Sequence, residues 1–282
     1  MPSSSSTRPI TREKLSVGLR ILDAASFSSA LAATLGAGLS LSVSQLLGAS
    51  DAARSALLVA AGAFIIYSLD RLRDARRDAT TSPLRTAFIE RHRRLLSAAT
   101  IGAALLLAIS LAGAPLRTWA LCAAIGGVGF FHRRLKDRAL LKTLYVSAAW
   151  TLGLVGPPVL AARGAVATRT AVGLSLILFL TLLANLVASN LRDNETQLLR
   201  NDPRRALWIA RCFTIAGAAL ALGWNFSGSP TTQTLYPAVW IPLAELAALA
   251  GFRQSERYGH LIVDGALLLG ALATLSHLQL FR

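Results

Sequence analysis

The feature that most constrains this chain is the recurrence, from one end to the other, of apolar stretches as long as a bilayer is thick. A helix needs roughly 20 apolar residues to cross the hydrocarbon core. Nine stretches come near that length: 24–47, 52–72, 95–113, 115–132, 140–161, 170–191, 204–224, 235–252 and 259–280. Several are interrupted by Gly or Pro, which membrane helices tolerate better than soluble ones. A hydrophobic content of 54%, only 15% charged residues and a mean hydropathy of +0.52 are not those of a typical soluble domain. The expectation is an all-α membrane protein, a bundle of about nine transmembrane helices forming one domain over residues 12–282. The Ser-, Pro- and Arg-containing segment 1–11 is expected to be a disordered tail, and no signal peptide is expected.

A net charge of +15 raises the question of nucleic acid. The placement of the charge answers it. With nine spans and the N-terminus inside, most Lys and Arg fall on the tail and on the loops after the second, fourth, sixth and eighth spans. The opposite side keeps Arg54, Arg117, Arg163, Arg169 and Arg282, and Arg211 lies within a span. This is the positive-inside pattern, reinforced by attraction to anionic headgroups. It implies an integral, multi-pass protein of a bacterial inner membrane with a cytoplasmic N-terminus; membrane lipid is a partner and nucleic acid is not. Cys122 and Cys212 fall within spans, lack metal-like spacing and read as small buried apolar residues.

The second span runs into Tyr67-Ser-Leu-Asp70-Arg-Leu-Arg-Asp74-Ala-Arg-Arg-Asp78. A spacing of four turns a helix by about 40°, so Asp70, Asp74 and Asp78 form one carboxylate stripe near the membrane surface. Like charges so placed repel and require a counter-charge. Two are open: a hard divalent ion such as Mg2+, which carboxylate oxygens suit, or ordinary ion pairs with Arg73 and Arg77. The sixth span ends similarly in Asn185-Leu-Val-Ala-Ser-Asn190-Leu-Arg192-Asp193-Asn-Glu195. Asn190 and Asp193 share a face, whereas Asp193 and Glu195 converge only if the helix ends between them. By topology both acidic ends face the cytoplasm, which places a candidate active site there.

Cations gather at the same face. The polar connection 74–94 holds Arg76, Arg77, Arg85, Arg91, Arg93 and Arg94 and is broken by Pro83; it reads either as a cationic lid or as plain topology signal. His132-Arg-Arg-Leu-Lys136 and Lys142 follow the fourth span, with His132 interfacial in character. Residues 12–23 suit an interfacial lead-in or simply the start of the first helix. Pro157-Pro158 should kink or end the fifth helix. Trp119, Trp208, Trp224 and Trp240 lie near span ends, and Trp150 sits mid-span where it lines a cavity or packs. Glu245, His260 and Asp264 are polar outliers within spans, the last two one turn apart and suited to pairing.

Two acidic motifs ending the second and sixth spans resemble the UbiA superfamily of intramembrane prenyltransferases, over about residues 20–280. Asp70-Arg71 and Asp74 match the family's Asn-x3-Asp-x3-Asp motif, with Ile66 where Asn is expected. Asn190-Leu-Arg192-Asp193-Asn-Glu195 is similar to the second motif of the menaquinone (naphthoate-type) branch. It is one residue shorter between Asn and Arg, with Gln197 in place of a later acid and Asn201-Asp-Pro-Arg-Arg-Ala after it. His132-x3-Lys136 resembles an aromatic-x3-Lys element.

The resemblance implies a UbiA-like bundle that transfers a polyprenyl group from an isoprenoid diphosphate to a small aromatic or lipid acceptor, of quinone-precursor type, with Mg2+ as cofactor. It implies Asp70, Asp74, Asp193 and Glu195 as the catalytic, metal-holding acids, with Asp78 as a further metal ligand. Arg71, Lys136, Lys142, Asn190 and Arg192 are the implied substrate contacts. Rival readings are a non-catalytic structural relative, an intramembrane terpene cyclase and a transporter; against the last, the acids cluster at one face and no inverted repeat is visible.

Overall fold

The computed structural model describes residues 17–135, 139–162, 168–192, 202–224 and 235–281. Among them the chain is helical, with no strand: α1 (Val17–Phe27), α2 (Ala30–Leu46), α3 (Ala52–Asp78), α4 (Pro83–Arg91), α5 (Arg93–Leu111), α6 (Leu116–Leu135), α7 (Ala139–Ala161), α8 (Thr168–Arg192), α9 (Pro203–Gly223), α10 (Trp240–Ala250) and α11 (Asp264–Leu280). A 3-10 turn, Tyr236–Val239, precedes α10, and a π-helical segment, Tyr258–Val263, leads into α11.

By length and composition six of these helices are able to cross a membrane, and seven if the bent pair α1–α2 is one span. This makes the chain a multi-pass membrane protein; the nine expected spans are not all matched by helices of that length among the described residues. The expected span 115–132 lies on α6, a helix of 20 residues whose side chains are described as far as Gly129. The expected span 235–252 is the shorter apolar helix Tyr236–Ala250, which stops at Gly251. The expected first span, 24–47, is broken: α1 and α2 meet at 73°. The cause is local, because Ser29 adopts a left-handed φ of 72°, which a helix cannot contain. α1 is therefore a separate helix, with Val17, Ile21 and Leu22 exposed as an interfacial lead-in requires.

The connection 74–94, expected as a loop, is mostly helix. α3 runs on to Asp78, and α4 starts with Pro83 in its first turn, where a missing N–H is harmless. The Glu256 carboxylate accepts from the first free amides of α4, Leu84 N at 3.3 Å and Arg85 N at 2.9 Å, and its charge suits the positive end of the helix dipole. α4 is thereby pinned across the end of α3, with Ile89 buried and Phe88 6.0 Å from the Phe27 ring. Pro157 and Pro158 neither break nor end α7 at their own positions; the helix continues to Ala161. Cys122 and Cys212 are partly rather than fully buried.

The core is a layer of aliphatic side chains from α2, α7, α8, α10 and α11, including Leu39, Leu154, Ile177, Ile241 and Leu267. Helices surrounded by lipid gain little from the hydrophobic effect between one another, so close contact and interhelical hydrogen bonds carry the packing. Ser42 Oγ donates to Ala271 O at 2.9 Å, and Thr274 Oγ1 donates to Pro237 O at 3.0 Å. At Gly270 the backbones nearly touch: a Cβ there would lie 2.6 Å from Ile241 Cα. Gly270→Ala must push α10 and α11 apart and should cost about 1–3 kcal/mol as overpacking. Thermal unfolding in detergent should show that loss, while Gly102→Ala, which meets nothing within 4 Å, should be neutral or mildly stabilising.

Candidate active site

One cavity of about 370 Å³ brings together residues from α1 to α8, the π-segment and α11. One end is charged. Asp70, Arg71 and Asp78 come from the last turns of α3, Arg85 from α4, Lys142 from α7, Asn190 and Arg192 from the end of α8, and His260 and Asp264 from the π-segment and α11. The other end is apolar and is walled by Leu35, Val59, Ile66, Ile125 and Pro157 among others.

The acidic stripe of α3 is divided by its partners. Arg73 lies between two of its acids, with Nη2 3.2 Å from Asp70 Oδ1 and Nε 3.4 Å from Asp74 Oδ1. Asp70 lines the cavity, whereas Asp74 is buried and does not. Asp78 lines the cavity and pairs with Arg85 Nη2 at 3.0 Å. The ion-pair option is thus realised by Arg73 for two of the acids; the Arg77 side chain lies outside the described ones. Among the described residues no three His, Cys, Asp or Glu side chains form a group able to hold a metal ion. The carboxylates present are the hard oxygen donors Mg2+ takes. The other acids implied for it, Asp193 and Glu195, lie outside the described residues, as do Lys136 and the His132 side chain.

The cations converge on a histidine. Arg85 Nη1 is 3.4 Å from His260 Nε2, and Arg192 Nη1 is 3.1 Å from His260 Nδ1. His260 Nδ1 also lies 3.3 Å from Asp264 Oδ2, the expected pairing, while Asn185 Nδ2 donates to Asp264 Oδ1 at 3.4 Å. Arg192 reaches this position across Gly259, where any Cβ would collide with its Cδ. Arg71 is buried and donates from Nη1 to Ser26 O at 2.7 Å, with its guanidinium 5.8 Å from the Tyr67 ring centroid. Asn190 Nδ2 donates to Thr143 Oγ1 at 2.8 Å, tying the end of α8 to α7. Trp150 does line the cavity, and its indole N–H donates to Tyr67 Oη at 3.2 Å.

Of the residues expected at the site, the structure brings together Asp70, Asp78, Arg71, Lys142, Asn190 and Arg192, and turns Asp74 aside. It adds Arg85, Tyr67 and Asn185, which sequence reasoning did not assign. Arg85 was indistinguishable from its neighbouring arginines until α4 folded across α3; the helix-start signal at Ser82-Pro83 was the available clue. Compared with protein-family models, curated proteins and solved structures, the chain matches none of them.

Glu245, on α10, is fully buried, and neither carboxyl oxygen makes a close hydrogen bond among the described residues, although the Asn185 amide on α8 lies near enough to interact with it. An unpartnered buried polar group costs about 1–3 kcal/mol. Glu245→Leu should therefore raise the thermal midpoint in detergent if the carboxyl serves no ligand, and a lowered midpoint would show that it is satisfied in the folded protein.

Proposed function

We propose that this protein is an intramembrane prenyltransferase, which moves a polyprenyl group from an isoprenoid diphosphate to an aromatic, quinone-precursor-type acceptor. The observation that carries this reading is the polarity of one cavity: Arg71, Arg85, Lys142 and Arg192 stand with Asp70, Asp78 and Asp264 at one end, and the other end is apolar. That shape suits an amphiphile with a multiply charged head. The motif resemblance of Asp70-Arg71-x2-Asp74 and Asn190-x-Arg192-Asp193 to the UbiA superfamily points to the same chemistry. In this reading the bundle spans the membrane nine times, with α6 and the short helix Tyr236–Ala250 counted as spans and the charged end facing the cytoplasm.

The reaction breaks the bond between the allylic C1 and the diphosphate oxygen, forms a bond from C1 to the acceptor, and releases diphosphate and one proton. The guanidinium and ammonium groups bind the phosphate oxygens and stabilise the charge that grows on the leaving group. Asp70 and Asp78, with Asp74, Asp193 and Glu195, would hold Mg2+, which would supply further neutralisation of those oxygens. Tyr67 and Trp150 offer ring faces to the allylic cation, and the apolar wall keeps water from capturing it. One feature favours a second reading, a non-catalytic relative: Asp70, Asp74 and Asp78 are each already paired with an arginine.

Purified protein with labelled geranylgeranyl or farnesyl diphosphate, Mg2+ and a panel of aromatic acceptors should release diphosphate in an EDTA-sensitive, acceptor-dependent way. Asp70→Asn should lower that turnover by at least about 100-fold, a loss of order 3 kcal/mol of transition-state stabilisation, while the melting temperature stays unchanged. Acceptor-independent release would indicate a cyclase, and no release with no diphosphate binding would indicate the non-catalytic relative.

A further inference from the structure

Three carboxylates line the cavity among the described residues, and two of them face arginines: Asp70 with Arg73, and Asp78 with Arg85. The third, Asp264, is held differently. Asn185 Nδ2 donates to its Oδ1 at 3.4 Å, and His260 Nδ1 lies 3.3 Å from its Oδ2. Its side chain is 30% exposed. A carboxylate accepts up to about four hydrogen bonds, so Asp264 is fixed in direction and still accessible from the cavity. It stands where the charged end meets the apolar one. On α11 Leu267 follows Asp264 by one turn, and on α8 Leu182 precedes Asn185 by one turn; both leucines line the cavity and belong to the aliphatic core. On α3 Tyr67 precedes Arg71 by one turn, near enough for the charge of Asp264 to act on its hydroxyl. The Tyr67 and Trp150 rings, edge to face at 6.0 Å, complete an aromatic wall at this level.

The transfer reaction releases a proton, and the groups that would hold the diphosphate are unsuited to take it. Guanidinium and ammonium groups have no acceptor, and Asp70 and Asp78 are committed to arginine or to Mg2+. We infer that Asp264, oriented by Asn185 and His260, is the base for the acceptor, an aromatic ring that presents a hydroxyl to this carboxylate beside Tyr67 and Trp150. An ionised carboxylate can only accept hydrogen bonds, so it takes a hydroxyl and refuses an aryl ether. Arg71 lies within electrostatic reach of Asp264, so the carboxylate is not an isolated charge. In the transfer the hydroxyl proton passes to Asp264 while the ring carbon bonds to C1. The C1–O bond breaks and its electron pair leaves with the diphosphate. The ring then loses its C–H proton to the departing diphosphate, and the oxygen recovers its own from Asp264, so one proton leaves in all. The base role rests on the transfer reading; the hydroxyl subsite does not.

Binding of naphthol and of its methyl ether to the full-length protein in detergent, with inorganic diphosphate and Mg2+ present, tests the subsite without turnover. Naphthol should bind at least about tenfold more tightly, as a hydrogen bond to a charged group provides. Asp264→Leu should bring the two ligands within about twofold of each other. In the transfer assay Asp264→Asn should lower kcat by at least about 100-fold, the usual worth of general base catalysis. Its affinity for farnesyl diphosphate should not weaken, and Asp264→Glu should recover part of the rate. Equal affinity for naphthol and the ether in the unaltered protein, or full turnover in Asp264→Asn, would overturn the proposal. So would loss of farnesyl diphosphate binding in Asp264→Asn, which would place the residue in the diphosphate site. A preference for naphthol in a protein that transfers no prenyl group would retain the subsite and remove the transferase reading. Equal transfer to naphthol and to its ether would do the reverse.

Discussion

Charge brought into an apolar bundle must be answered by charge or by hydrogen bonds, because an uncompensated ion there costs several kcal/mol. The site is organised by that constraint. Asp78 on α3 answers Arg85 on α4; Arg85 continues to His260, which in turn touches Arg192 on α8 and Asp264 on α11; and Asn185 on α8 closes the chain at Asp264. Three regions distant in sequence, 78–85, 185–192 and 260–264, are held together by one polar network. A bond removed from it leaves the remaining members unsatisfied in a medium that cannot solvate them.

The network needs an unusual backbone to reach its targets. The π-segment Tyr258–Val263 carries His260, and π-turns are rare and frequently mark functional sites. Its Gly259 leaves the space through which Arg192 passes, and Glu256, two residues before the segment, caps α4. A short stretch of chain thus fixes Arg85 from one side and Arg192 from the other. Arg257 next to it pairs with Asp23 at 3.0 Å, so α1 is fastened to the same stretch.

Packing and polarity divide the cavity between them. Where the bundle is tightest, around Gly270 and Gly38, small residues let helices touch. Between α3 and α6 the small residues do the opposite: at Gly62 and Gly126 they leave room. The difference lies in what faces each glycine: backbone at Gly270, the Leu268 side chain at Gly38, and open space at Gly62 and Gly126. A charged end and an open apolar end in one cavity describe the shape of an amphiphile, and the proposed chemistry follows from that shape.

The class of fold and the clustering of charge at the helix ends were legible in the residue order alone. Apolar stretches near bilayer length admit helices alone, since an unpaired backbone is intolerable in lipid, and most of the expected spans coincide with helices. The i+4 spacing of Asp70, Asp74 and Asp78, and the one-turn spacing of His260 and Asp264, were legible because helix geometry fixes which side chains are neighbours. What only the tertiary structure decided was selection among similar residues. Hydropathy could not reveal the bend at Ser29, which a single backbone dihedral creates, nor that the stretch 235–252 would form a short helix. Arg85 differs from Arg91 or Arg93 only because Glu256, more than 150 residues away, pins α4 across α3. Asp74 differs from Asp70 and Asp78 because its side chain is buried against Arg73 while theirs reach the cavity. Local sequence fixes periodicity; which of two equivalent charges meets the cavity depends on long-range packing, and that is settled only when the helices assemble.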